Sequence, residues 1–146
     1  MQLTMFSDLA LRVLMFTQAA GERLVTIDEI ANAYGISRAH LTKVVNALTR
    51  TGYLTAVRGR SGGLRLARPA DQINLGDVIR MTEPDFALVE CFATGNQCVI
   101  TNCCRLQGVF EEALQAFLAV LDRNTLASIS LKPRDFRVLV RSENQK

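Results

Sequence analysis

Apolar residues in the first third of the chain recur at intervals of three and four, which is the spacing along one face of an α-helix. This pattern predicts a first helix over residues 4–20, which Gly21 ends. Its buried face carries Phe6, Leu9, Val13 and Phe16. Asp8 and Arg12 lie four positions apart on the solvent face, where they can form an ion pair.

Two shorter helices follow, with a glycine between them. In the motif TIDE, Thr26 can cap a helix and Glu29 lies three positions later, so a capping box predicts a second helix that closes at Gly35. Ser37 can cap a third helix, which Gly52 ends. The buried stripe of this third helix is Leu41, Val44, Val45 and Leu48. This order of elements is typical of a helix-turn-helix.

The exposed face of the third helix carries side chains that can bond to phosphates and to purine edges. The residues of this helix predicted to contact DNA are Ser37, Arg38, His40 and Lys43. The alternative is that this face is simply polar and solvated. His40 is the single histidine of the chain, and its exposed position favours a DNA contact over a catalytic or metal-binding role.

A β-hairpin is predicted next, with strands over residues 53–57 and 64–67 around the glycine-rich turn RGRSGG. The hairpin contains four arginines and no acidic residue. A hairpin directly after a helix-turn-helix is the wing of a winged-helix domain, whose tip reaches the minor groove, where arginine is favoured. The wing residues predicted to contact DNA are Arg58, Arg60, Ser61, Gly62 and Arg65.

The C-terminal half begins with a short helix that Asn74 can cap and Pro84 ends. Residues 85–103 lose periodicity and are predicted to form a loop, whereas residues 104–122 form a long helix with a wide apolar stripe. A short helix follows in the segment NTLASISL. A small winged-helix domain cannot cover so wide a stripe, so we predict a homodimer in which a second subunit covers it. The alternative is a helix packed on its own domain alone.

The predicted fold is mainly α with a small β-hairpin, and it comprises a winged helix-turn-helix domain plus a long C-terminal dimerisation helix. Residues 1–83 form the DNA-binding domain and residues 84–104 a cysteine-rich loop. Residues 105–131 hold the dimerisation helix and the short helix after it, and residues 132–146 form a tail with no assigned role.

The charge of the 146-residue chain is unevenly divided between its halves. Residues 1–70 contain nine Lys and Arg against four Asp and Glu, and residues 71–146 contain eight against ten, so the net charges are +5 and −2. The basic half agrees with binding to double-stranded DNA. The N-terminus lacks the pattern of a secretory signal, and no apolar run has the length of a membrane span, so a cytoplasmic protein is expected.

All four cysteines lie in one short stretch, at positions 91, 98, 103 and 104. In a reducing cytoplasm this indicates a metal site or a redox sensor more than structural disulfides. The paired C-x2-C spacing of zinc sites is absent, so the wider spacing favours an iron–sulfur cluster over zinc, with a free-thiol redox switch as the third interpretation. The loop has no histidine to activate a cysteine nucleophile, so we predict that the protein is not an enzyme.

Three stretches of the chain resemble a known family: MQLTMFSDLALRVLM, GYLTAVRGRSGGLRLARPADQINLGDVIR and CVITNCCRL. They are similar to the NsrR-type nitric oxide-sensing transcriptional repressors, which are relatives of the cluster-sensing regulator IscR. The resemblance runs from residue 1 to about residue 131. It implies a dimeric winged-helix repressor whose cysteine loop holds an iron–sulfur cluster near the dimerisation helix.

The resemblance also implies which thiols bind the cluster. Cys91, Cys98 and Cys104 match the three family ligands, the last of which directly precedes the residues RL. Cys103 matches a position where relatives can lack a cysteine. Adjacent side chains of a helix diverge by about 100°, so Cys103 is not expected to reach the same cluster as Cys104.

The fourth ligand is implied by the same comparison. IscR-like proteins have a histidine at the position of Gln107, whereas NsrR-type proteins use an acidic residue early in the first helix of the partner subunit, which matches Asp8. An oxygen ligand holds iron more weakly than a thiolate does, so small diatomic molecules can displace it.

The function implied is that of a nitric oxide-responsive repressor. It binds operator DNA as a dimer when it carries the cluster, with 4Fe-4S favoured over 2Fe-2S, and releases DNA when the cluster is nitrosylated. One alternative is an IscR-like regulator that senses cluster supply or general redox state. A different class of alternative is a thiol redox enzyme or a zinc-stabilised interaction module.

Overall fold

A computed structural model of the protein describes residues 2–131, so the predicted tail over residues 132–146 lies outside the described residues. Within this range the chain forms α-helices and one antiparallel hairpin, which confirms the prediction of a mainly α fold with a small β-hairpin. The elements are α1 (Met5–Ala19), α2 (Ile27–Tyr34), α3 (Arg38–Arg50), β1 (Leu54–Val57), β2 (Gly63–Leu66), α4 (Leu75–Thr82) and α5 (Arg105–Asp122).

Helix α1 is the centre of the core because it is apolar on more than one side. Val13, Leu14 and Phe16 are fully buried, and the helix packs against α3, β2 and α4. Burial of a valine, leucine or phenylalanine side chain contributes roughly 1.5–3 kcal/mol. The other elements supply the core residues Ile30, Leu41, Val44, Leu48, Leu54, Leu64, Ile73 and Val78.

Hydroxyl groups attach the start of α1 to the end of α4. The Ser7 hydroxyl donates to the Thr82 hydroxyl at 2.8 Å, and both groups are buried. One carboxylate oxygen of Glu83 accepts hydrogen bonds from the backbone N–H of Thr4 at 2.8 Å and from its hydroxyl at 3.1 Å. These bonds satisfy polar groups that burial would otherwise leave unpaired.

The helix-turn-helix forms as predicted. The Thr26 hydroxyl accepts from the Glu29 backbone N–H at 3.1 Å and the Glu29 carboxylate accepts from the Thr26 backbone N–H at 2.8 Å, so the capping box is present. Burial alone would raise the pKa of Glu29, but hydrogen bonds from Thr26 and Arg23 outweigh it and hold this pKa below its usual range. Gly35 ends α2 in the left-handed conformation, with φ +63°, and the chain then turns into α3.

The wing is held to the helices by a third segment of chain that the sequence did not indicate. β1 and β2 pair in antiparallel register with Leu54 opposite Leu66. Val25, just before α2, exchanges two backbone hydrogen bonds with Leu64, at 3.1 and 2.7 Å. The wing therefore extends a small sheet whose third member precedes the helix-turn-helix.

Several local predictions need correction. In the described part of the chain the Ser37 hydroxyl makes no capping bond to α3, although Ser37 holds the N-cap position. The predicted loop contains two short 3-10 helices, Glu90–Phe92 and Thr101–Cys103. The short helix predicted in the segment NTLASISL is a 3-10 helix, Leu126–Ile129, and its Leu126 N–H donates to the Ile73 carbonyl oxygen at 2.8 Å. The long helix begins at Arg105 and not at residue 104.

Replacing Gly35 by alanine should lower the free energy of unfolding by about 1–2 kcal/mol, because a side chain with a Cβ is disfavoured in the left-handed region. No described atom lies within 4 Å of the position that a Cβ would take, so the loss reports backbone conformation alone. Gly35→Asn should lose less, since asparagine tolerates this conformation. Urea denaturation of both variants checks this, and equal losses would contradict it.

Candidate nucleic-acid interface and thiol site

The exposed face of α3 presents the predicted DNA-contacting residues together. Arg38, His40 and Lys43 are exposed, whereas the apolar stripe on the other side of the helix is buried. The Arg38 guanidinium lies 2.6 Å from the Asp28 carboxylate of α2. Asp28 was not predicted as a functional residue. Its position in the first turn of α2 allows it to orient Arg38 across the helix-turn-helix.

The wing presents a second basic surface. Arg58, Arg60 and Arg65 are exposed, and none of them has a carboxylate partner among residues 2–131. Ser61 is exposed at the tip between them. Gly62 is only half-exposed, and a Cβ there would overlap the carbonyl oxygen of Val57, so this glycine is needed to close the turn.

The fourth hairpin arginine has a structural role. Arg68 lies over the Tyr53 ring, with 4.9 Å from Cζ to the ring centroid, and its Nε donates to the Gly52 carbonyl at 3.0 Å. These contacts fix the base of the wing to the turn that follows α3. A cation above an aromatic face contributes roughly 0.5–1 kcal/mol at an exposed site.

The structure brings three of the four cysteines to one cavity. Cys91, Cys98 and Cys104 line a space of about 190 Å³ that opens at the start of α5. Most of its remaining wall is apolar, and it consists of Val89, Glu90, Ile100, Leu106, Gln107 and Phe110. Across residues 2–131 no three His, Cys, Asp or Glu side chains are gathered as a site for a single metal ion.

Cys103 is separated from this cavity for a reason that differs from the predicted one. Cys103 ends a 3-10 helix and Cys104 has an extended backbone, with φ −78° and ψ 112°, so the two are not adjacent positions of one α-helix. The Cys103 thiol donates instead to the Ile100 carbonyl oxygen at 3.4 Å. Cys103 is therefore held by a local hydrogen bond outside the cavity that Cys104 lines.

Asp8 does not reach the thiol cavity of its own chain. Its carboxylate accepts from Arg12, with 3.0 Å between Oδ2 and Nη2, and both side chains are about half exposed. The pair therefore forms as predicted. The Arg12 guanidinium also lies 5.7 Å from the centroid of the Tyr34 ring, which ends α2.

Helix α5 leaves almost all of its apolar stripe exposed or only half-buried in the single chain. Among its described residues Leu118 alone is buried, and Leu106 and Val109 are 56% and 60% exposed. Contiguous apolar surface of this kind is rare on a monomer and marks a contact with another surface. None of the described helices is long and apolar enough to cross a membrane.

The helix-turn-helix, the basic wing and the exposed helix α5 define a winged-helix DNA-binding regulator as the class of this protein. The profile of the Rrf2 family, described as "Iron-dependent Transcriptional regulator", matches residues 3–131. The chain therefore belongs to the Rrf2 family of transcriptional regulators. Members of this family are DNA-binding regulators, which confirms the prediction that the protein is not an enzyme.

Relatives of known sequence and structure agree with this assignment. The chain is 50% identical over 131 residues to the HTH-type transcriptional regulator NsrR of Geobacillus kaustophilus (strain HTA426), covering 88% of this chain and 89% of that protein. Among solved structures it is similar to T. potens IscR, with a TM-score of 0.70, 25% identity and coverage of 88% and 85%. It also shares its fold with CymR (YrzC), the global cysteine regulator of B. subtilis, at TM-score 0.69, 23% identity and coverage of 89% and 96%.

Alanine at Arg60 or Arg65 should weaken DNA binding equally for all sequences and reduce the slope of log K against log salt by about 0.9 per lost phosphate contact. Alanine at Arg38 or His40 should instead relax the preference for one sequence, because base contacts carry specificity. Fluorescence anisotropy over a salt series checks both. The control is Arg123→Ala, an exposed arginine at the end of α5, and an unchanged slope in the wing variants would argue against this surface.

Proposed function

We propose that this protein is a nitric oxide-responsive repressor, which binds operator DNA as a homodimer when Cys91, Cys98 and Cys104 hold an iron–sulfur cluster. The observation that carries this proposal is the shared cavity of these three thiols, which Cys103 does not line. The description of the Rrf2 family as iron-dependent and the 50% identity to an NsrR regulator support it. A cytoplasmic location is part of the proposal.

The donor set fits a cluster better than a single metal ion. Thiolates are the usual ligands of iron–sulfur clusters, in which each iron takes its own protein ligand, so the thiols need not converge on one point. The cavity offers three thiols within largely apolar walls. When bound, the cluster would supply iron that reacts with nitric oxide. We favour a 4Fe-4S over a 2Fe-2S cluster.

The dimer in this proposal rests on α5. Residues 105–131 would form the dimerisation unit, because the exposed apolar stripe of α5 is better covered by a second copy than by solvent. In such a dimer Asp8 of one subunit would supply the fourth ligand to the cysteine loop, residues 84–104, of the other. The Asp8 side chain is half-exposed, so it could exchange Arg12 for that ligand role.

The DNA-binding part of the proposal assigns two kinds of contact. Residues 1–83 would form the domain that reads the operator, with α3 in the major groove and the wing beside it. The residues involved are Ser37, Arg38, His40, Lys43, Arg58, Arg60, Ser61, Gly62 and Arg65. Loss of order in the cysteine loop would change the spacing of the two recognition helices and so lower operator affinity.

Alanine at Cys91, Cys98 or Cys104 should abolish cluster binding and cost about 5- to 150-fold in operator affinity, the range of ordinary allosteric coupling. Cys103→Ala is the matched control and should behave as the wild-type protein. The measurements are iron and sulfide content, the visible spectrum and operator Kd of protein prepared without oxygen, before and after exposure to nitric oxide. Full cluster content and tight DNA binding in the three ligand variants would overturn the proposal.

Asp8→Ala should change the cluster spectrum and its reaction with nitric oxide, because the fourth ligand is lost. Arg12→Ala breaks the same ion pair from the other side. If Asp8 acted only through that pair, the two variants would behave alike, and the ligand assignment would be wrong. Stopped-flow absorbance of both variants during addition of nitric oxide distinguishes the two cases.

A further inference from the structure

An ion pair joins the C-terminal end of α5 to α4. The Arg80 guanidinium donates to both carboxylate oxygens of Asp122, at 2.6 Å from Nη1 and 2.8 Å from Nη2. Two parallel bonds of this type fix direction as well as distance. These hydrogen bonds raise the pKa of Arg80 and hold the pKa of Asp122 below its usual range, so both groups are charged at neutral pH.

Backbone contacts surround this ion pair. The Asn74 side-chain amide donates to the Asp122 carbonyl oxygen at 2.7 Å, at the last residue of α5. The Leu126 N–H donates to the Ile73 carbonyl oxygen at 2.8 Å, and the Leu126 side chain is fully buried in the core. The end of α5 and the segment that includes α4 therefore form one joint, defined here as Ile73, Asn74, Arg80, Asp122 and Leu126.

Gly76 allows the two helices to approach at this joint. It is a buried residue inside α4, and a Cβ at this position would overlap Oδ1 of Asp122. Alanine is ordinarily the better residue in a helix, by about 0.8–1.0 kcal/mol. The glycine thus leaves space that the Asp122 carboxylate needs in order to bond to Arg80.

The opposite end of α5 has no such attachment among the described residues. No α5 residue before Leu118 is buried, and the thiol cavity lies at that end, where Cys104 immediately precedes the helix. A helix of this length spans roughly 27 Å at 1.5 Å per residue. A small change of angle at the joint would therefore accompany a larger displacement at the thiol end.

The joint is also connected to both surfaces that are proposed to contact DNA. Ile73 lies seven positions after Leu66, the last residue of β2, so the joint directly follows the wing. Two positions after Arg80, Thr82 of α4 accepts a hydrogen bond from Ser7 of α1, and α1 packs on α3. Through the joint and α4, the elements that would read DNA are thus connected to the C-terminal end of α5.

We infer that the Arg80–Asp122 joint is the pivot through which the thiol end of α5 controls DNA binding, so that opening the joint leaves a protein that binds DNA but no longer responds to its cluster. This inference rests on the proposed function. Arg80 and Asp122 are positioning residues here, since neither lines the thiol cavity and neither is among the residues proposed to contact DNA.

The test uses Asp122→Asn in the full-length protein, with operator Kd measured for the cluster-bearing and the cluster-free forms. In the wild-type protein the two values should differ by about 5- to 150-fold. In Asp122→Asn this ratio should fall to about 1, with iron and sulfide content unchanged. Asp77→Asn is the matched control. It removes another carboxylate close to Arg80, at 3.9 Å, but Asp77 belongs to α4 and not to α5. A wild-type ratio in Asp122→Asn would overturn the inference.

Two further variants separate coupling from folding. Gly76→Ala should reduce the ratio as Asp122→Asn does, although it improves helix propensity and changes no charge. The exchange Arg80→Asp with Asp122→Arg should restore the wild-type ratio. If Gly76→Ala kept the wild-type ratio and the double exchange did not restore it, the inference would be overturned even if Asp122→Asn were unstable.

Amide hydrogen exchange tests the joint separately from the proposed function. The Leu126 amide should exchange faster in Asp122→Asn than in Asp77→Asn, whichever form of the protein is used. If the wild-type Kd values did not depend on the cluster, the proposed function would fail. Unchanged protection of Leu126 would show instead that the joint itself is wrongly assigned.

Discussion

The structure depends on the burial of α1 among α3, β2 and α4. Val13, Leu14 and Phe16 are fully enclosed because α3, the wing and α4 all pack against this helix and share one core with it. Close-packed interiors transmit displacement because they leave few voids to absorb it. A change in the position of α4 would therefore displace the surfaces proposed to contact DNA.

The cysteine loop is organised by different forces. No residue between positions 84 and 104 is buried, and residues 91–104 carry no charged side chain. Its conformation comes from local hydrogen bonds, such as those from the Asn96 amide to the Thr101 hydroxyl at 2.7 Å and from the Cys98 N–H to Asn96 at 2.8 Å. Such bonds contribute about 1 kcal/mol each, so a bound cofactor could dominate the order of this segment.

These two regions meet through α5, which is attached to the core at one end and carries thiols at the other. This arrangement agrees with the proposed sensor, because the segment proposed to respond is held by weak local bonds and the segment proposed to read DNA by the packed core. In the proposed dimer, Asp8 would add a second connection between subunits. The coupling would then arise from the helix and its joint and not from contact between the thiols and the DNA surface.

Local patterns determined much of this protein. The helices, the capping box at Thr26, the left-handed Gly35 and the wing follow from periodicity and from residue preferences that act over a few positions. The resemblance to this family of regulators could also be seen in the sequence, because the wing and cysteine motifs are contiguous stretches of the chain. The choice of Cys91, Cys98 and Cys104 as ligands came from that resemblance and remains a proposal.

Only the tertiary structure decided which distant residues meet. The pairing of Val25 with Leu64 and the joint between Arg80 and Asp122 link positions far apart in the chain, and no local pattern encodes them. Short-range preferences select helices and turns, whereas long-range contacts depend on how all the elements fit into one core, and that fit is decided only when the whole chain packs together.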